Sequence, residues 1–301
     1  MQSWIDLWQK LLIGEGRALA ICLLAVAACT LVELLAPAEA GQGIKGRGRN
    51  LLYLVIFKGL GVAAIAAWYV FGPDVPVVDR EVAGTGNAAM ARTAVNVLAN
   101  VFVADFLYYW YHRAQHHFRF LWAIHELHHA DSELNATTSY RTYWLEAPAQ
   151  FILVAVPTVM LFGNRGPGHA AAVYAVTSAF LIFSHWNVRL SLGPLTSVLC
   201  GPQVHRIHHS RFAGHRDKNF AQVLTILDRI FGSYHAPAPG EFPPTGADGL
   251  PSDASIGRAM IQPFAIWGGL VGLWTPASIE MPGRIDEAVS RERGGRRKRR
   301  P

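Results

Sequence analysis

The 301-residue chain is 51% hydrophobic and only 16% charged, whereas soluble domains carry about 25% charged residues, so a water-soluble enzyme is the poorer reading and a membrane protein the better one. The formal charge of +6 is an end effect, because "RERGGRRKRRP" (291–301) holds seven basic residues and one Glu and the rest of the chain balances. Such a tail suits the anionic cytoplasmic lipid surface, or a disordered segment that fixes topology, better than nucleic acid.

The start, "MQSWIDLWQKLLIGEGR", carries Asp6 and Glu15 and no basic opening, so it does not read as a secretory signal. Five apolar stretches follow, and a bilayer-spanning helix needs about 20 such residues. They are 18–37, which includes Glu33; 51–72, with Lys58 placed to snorkel; 93–111, with Asp105; and the shorter pair 147–163 and 170–186 around "NRGPGH". Cys22, Cys29 and Cys200 lack CxxC spacing and read as small apolar residues. "GRAMIQPFAIWGGLVGLWTP" (257–276) is shorter than a span, holds Pro263 and reads as an interfacial or covering helix. The loop 41–50 has three basic residues and no acid, which assigns it to the cytoplasm. The loop after the second span carries Asp74, Asp79 and Glu81 against Arg80 and Arg92, which assigns it outside. Alternation then delivers residues 112–129, 185–215 and the C-terminus to the cytoplasmic face. The expected fold is all-α: a polytopic membrane helical bundle with a cytosolic histidine-rich helical cap.

Ten of the 13 histidines fall in two windows, "HRAQHHFRFLWAIHELHH" (112–129) and "HRIHHSRFAGH" (205–215). His112 and His116 are one helical turn apart, and His125, His128 and His129 share a face, as do His205, His208 and His209. Neutral imidazole ligates iron, copper, nickel and zinc. Eight or so imidazoles exceed what one four- to six-coordinate ion takes, so a dinuclear site is the simplest assembly. His169 and His235 read as ordinary polar residues. "HELHH" also matches the zinc-protease signature, with Glu126 as the base. Against that, "HRIHH" repeats the spacing with Arg206 where the Glu would stand, and a zinc protease has no role for His128. A non-catalytic polyhistidine metal carrier is the third reading.

"YWYHRAQHHFRFLWAIHELHHAD", "FSHWNVRL", "VHRIHHS" and "DKNFAQVLTILDRIFGSY" together resemble the membrane fatty acid hydroxylase/sterol desaturase superfamily, over roughly 93–236. The resemblance implies two metal ions, taken as iron with zinc as a substitute in preparations. It also implies use of dioxygen and supplied electrons to hydroxylate or desaturate a membrane lipid. The implied ligands are His112, His116, His125, His128, His129, His185, His205, His208 and His209, with His117 replacing or joining His116. One departure is Tyr143 and Trp144, where members often have a histidine and Pro before Leu-Glu. Only eight residues separate His116 from His125, closer than the first two boxes of acyl-lipid desaturases, so the hydroxylase branch fits better. No cytochrome- or ferredoxin-like module is evident, so a separate electron donor is expected. Asn96, Asn100 and Asp105 either orient imidazoles or bond between helices. The expected division is 1–92 N-terminal transmembrane, 93–236 catalytic, 237–290 interfacial and 291–301 tail, in an inner membrane if the source is bacterial.

Overall fold

Each of the five apolar stretches forms a helix in the structure, a computed structural model that describes residues 20–72, 78, 86–163, 165 and 167–273. They are α1 (Ala20–Leu35), α2 (Ile44–Phe71), α3 (Asn87–His117), a helix from Glu146 to Phe162 and α7 (Pro167–Ser184). The fourth divides into α5 (Glu146–Gln150), a π-helical stretch Phe151–Ala155, and α6 (Val156–Phe162). Pro157 explains the π stretch: it has no N–H for the carbonyl four residues back, and its ring crowds that carbonyl. Ile44–Trp68 and Asn87–His117 are long and apolar enough to cross a bilayer; the other three are shorter apolar helices. Only 29% and 22% of the two long helices' apolar windows is buried, whereas a soluble protein's core helix is mostly buried. Leu98 and Phe102 on α3 and Leu52 and Val55 on α2 are among the exposed side chains.

Short helices cover one end of these five: α4 (Arg119–His129), α8 (Pro202–His208), α9 (Ile226–Ile230) and α10 (Ile256–Leu270). Among the described residues there is no strand, only the isolated bridges Pro37–Val188 and Ser210–Thr245. Buried polar bonds tie the helix ends to the covering layer. Glu33, near the end of α1, accepts from the backbone N–H of Ala136 and of Asn187 and pairs with Arg47 at the start of α2. Asn50 donates to Asp131 and Thr137. The α1–α2 turn, the end of α3, the start of α5 and the end of α7 therefore meet at one level. That arrangement suits alternating helices, with both histidine runs on the side of the 41–50 loop.

Helix α10 begins at Ser255, whose side chain accepts from the Arg258 N–H. Ala259, Gln262 and Ile266 are buried on one side of it, and Ile261, Phe264 and Leu270 are exposed on the other. Trp267 stacks on Phe120 and donates to its carbonyl. Asp74, Asp79, Arg80, Glu81 and the basic tail lie outside the described residues, as does the side chain of Lys58.

Candidate metal centre

Helix α3 ends at His117, the extended backbone of Phe118 (φ −99°, ψ 118°) makes a corner, and α4 starts at Arg119. The corner folds α4 back on α3, so residues thirteen apart face one another. His112 Nε2 lies 3.0 Å from His125 Nε2, and His116 Nε2 lies 3.1 Å from His129 Nε2. From the other elements come His185, just past α7, and His205, His208 and His209 of α8 and its cap. His185 Nε2 is 3.1 Å from that of His128 and 3.0 Å from that of His205, and the His205 and His209 Nε2 atoms are 3.1 Å apart.

The nine imidazoles form two groups. His112, His116, His125, His129 and His208 make one; His128, His185, His205 and His209 make the other; the ligand atoms of each group lie within 4.8 Å of one another. The groups abut, with the His129 and His209 rings stacked at 4.3 Å. The split crosses the motifs. In α4 the i,i+4 pair His125/His129 serves the first group and His128 the second. In α8 the pair His205/His209 serves the second group and His208 the first. The spacing alone left this exchange open.

The outer nitrogens decide what the inner ones can do. Nδ1–H of His112 donates to the Phe220 carbonyl (2.7 Å), that of His125 to Glu146 Oε1 (2.8 Å), that of His185 to the Leu181 carbonyl (2.7 Å) and that of His208 to the Lys218 carbonyl (2.8 Å). These acceptors fix the tautomer and leave Nε2 as a bare lone pair. His112 and His125 therefore aim two lone pairs at each other across 3.0 Å, which no hydrogen bond explains and a shared cation does. The buried His208 Nε2 has no hydrogen-bond partner among the described residues. With metal–nitrogen bonds of about 2.1 Å, two nitrogens at right angles on one ion stand about 3.0 Å apart and two tetrahedral ones about 3.4 Å. The separations of 3.0–3.1 Å match the first. The residues present thus fit metal ions, and both groups can hold one.

Burial, reinforced by mutual repulsion, holds His125, His128, His129, His205, His208 and His209 well below the ordinary imidazole pKa. Metal ligation needs that neutral form.

Residues 97–233 match the family described as fatty acid hydroxylase. Human alkylglycerol monooxygenase is 36% identical over 136 residues, which are 44% of this chain and 29% of the relative. Ornithine lipid hydroxylase OlsE of Rhizobium tropici is 27% identical over 176 residues, 57% of this chain and 51% of the relative. A very-long-chain aldehyde decarbonylase, GL1-6 of Oryza sativa subsp. indica, is 29% identical over 141 residues, 43% of this chain and 21% of the relative. The chain thus spans from about a fifth to about half the length of these relatives. No solved structure matches it.

Within the matched segment His117 belongs to neither group. It follows His116 by one residue, about 100° round the helix, and its exposed ring rests on Phe118. Glu126 is also in neither group. Its buried carboxylate runs toward Gln262 and Gly249, where a Cβ would collide with it. "HELHH" therefore puts no base beside the imidazoles. Asn100 bonds His169 of α7 at 3.3 Å, an interhelical contact. Asp105 bonds no imidazole directly; it accepts from the backbone N–H groups of Gln222, Val223 and Leu224, just beyond the Phe220 carbonyl that receives His112. Tyr143 is buried and donates to the Met260 carbonyl, tying α10 down. Glu146 was not singled out from the sequence. It accepts hydrogen bonds from His125 Nδ1–H, the Tyr111 hydroxyl and the Gln115 amide. One signal was available: it is the only acid between Glu133 and Asp217.

Proposed function

We propose that this chain is a membrane-bound, dioxygen-dependent lipid hydroxylase with two iron ions held by the nine imidazoles, and that electrons come from a separate cytochrome- or ferredoxin-type donor. The observation that carries the reading is the pair of abutting groups whose Nε2 lone pairs converge at about one metal–ligand edge. His112, His116, His125, His129 and His208 would hold one ion, and His128, His185, His205 and His209 the other. Iron bound there supplies the dioxygen activation that an unreactive lipid C–H bond requires. The chain's own contribution is positioning. Glu146 and the carbonyls of Phe220, Leu181 and Lys218 hold Nδ1–H, so that each Nε2 points inward unprotonated. The names of the relatives, a monooxygenase of alkylglycerols and a hydroxylase of ornithine lipids, support a lipid substrate.

The topology proposed with it is polytopic. The helices leave and return on one level, which the basic 41–50 loop and the basic tail assign to the cytoplasm, the tail lying on anionic lipid. The division into 1–92, 93–236, 237–290 and 291–301 is part of the same reading. Helix α10 lies in the interface with Ile261, Phe264 and Leu270 outward.

The test compares lipids from cells with and without the gene by mass spectrometry, and counts metal in protein purified in mild detergent. A gain of one oxygen in one lipid class, with about two irons per chain, is expected. Loss of two hydrogens would make it a desaturase. A single zinc with no oxygen uptake would favour the metal-carrier reading. Reporter fusions after Arg119 and at Pro301 should both report the cytoplasm, and opposite signals would overturn the topology.

A further inference from the structure

Outside both groups, His215 in the loop from Ser210 to Asn219 belongs to a third cluster. His215, His235 and Glu241 place one ligand atom each within 4.8 Å of one another. His215 is buried. Its Nδ1 bonds the Ser210 hydroxyl at 2.9 Å and its Nε2 faces Glu241 Oε1 at 3.3 Å. The other oxygen of Glu241 accepts from the Ala238 N–H, so Oε1 is the one left for the cluster. The His235 ring stands 4.8 Å from that of His215, and its nitrogens bond no described residue. Dedicated polar bonds hold each contributor. Asn219 clamps the His235 backbone in both directions, and Gln203 donates to the carbonyls of Ala238 and Glu241. An ion pair between His215 and Glu241 alone would leave His235 without a role.

We infer that His215, His235 and Glu241 form a third, mononuclear site for a divalent transition ion of the zinc class. Two imidazoles and one carboxylate are a common zinc donor set, with the fourth position left to water. Ligand atoms on one ion stand about 3.4 Å apart, so the cluster closes by little more than an ångström. Burial and the neighbouring His215 lower the His235 pKa, which favours the ligating form. The site ties the 210–219 loop to residues 235 and 241, and the same loop supplies the Lys218 carbonyl to His208 and places Asp217 3.6 Å from His116.

Protein in detergent is loaded with a slight excess of zinc, freed of unbound metal by gel filtration, and its zinc per chain measured. His235→Ala and Glu241→Gln should each hold one ion fewer than the unaltered chain. The His235 side chain is half-buried and its nitrogens bond no described residue, so its removal should leave the fold intact. His128→Ala, in the main centre, lowers the total without changing that one-ion difference, so failure of the main reading and failure of this one are separable. Adding zinc to chelated protein should also slow hydrogen exchange across 210–219, and His235→Ala should abolish the slowing. Equal zinc in all three chains, with no change in exchange, would reduce the cluster to the His215–Glu241 contact and overturn the site.

Discussion

At the scale of single residues the centre depends on which nitrogen carries the proton, and Glu146 sets that for His125. Removing such an outer partner commonly costs 10- to 100-fold in metal affinity or activity. Glu146→Gln should weaken metal retention by roughly that factor, with the protein still folded. The amide can still accept from His125, but it carries no charge to raise the ligand's basicity. Glu126→Gln should cost little, because Glu126 faces Gln262. His208→Ala should cost most, because it removes a donor from the first group. Metal analysis after dialysis, with oxygen uptake, measures all three. A dead Glu126→Gln beside an active His208→Ala would restore the protease reading. Eight of the imidazoles were legible because the i,i+4 and i,i+3 spacing repeats, whereas His185, which has no partner at that spacing, came only with the family resemblance. The outer partners were not legible: His112 and the carbonyl of Phe220 are 108 residues apart, and a backbone carbonyl leaves no mark in a sequence.

At the scale of elements, the buried Asp105 of α3 fastens the turn after α8 by three backbone N–H groups, closest at the Leu224 amide (2.6 Å). Each buried donor left without a partner costs about 1–3 kcal/mol. Asp105→Ala should therefore lower the unfolding midpoint by several degrees or more. It should also disturb His112, whose Nδ1 acceptor, Phe220, sits in the segment that Asp105 holds. Thermal unfolding in detergent checks this, and an unchanged midpoint would mean that the bonds contribute nothing net. Element positions were readable from hydropathy, since all five apolar stretches are helices. The π stretch at Phe151–Ala155 and the corner at Phe118 were not, because both depend on how one helix meets the next. The tie between Tyr143 and α10 was hidden for the same reason: its partner is a carbonyl 117 residues away.

At the scale of the whole molecule, six imidazoles stay neutral when folded and would each take a proton when unfolded below about pH 6.5. The unfolded chain then binds more protons than the native one, so stability falls as pH falls through that value. Metal-free protein should lose thermal stability steeply between about pH 6.5 and 5, before ordinary carboxylates titrate. A midpoint flat across that window would show that the imidazoles are charged or solvated in the fold.

The exchange of donors between α4 and α8 bears on the order in which the centre comes into being. When synthesis has passed His129, four of the five donors of the first group exist and only one of the four of the second. Nothing completes either group until 205–209 emerges, and that one stretch finishes both at once. A ribosome-bound chain therefore holds a half-open claw until its last histidine segment docks. On the proposed reading, firm metal capture is then a single late event in the life of the nascent protein.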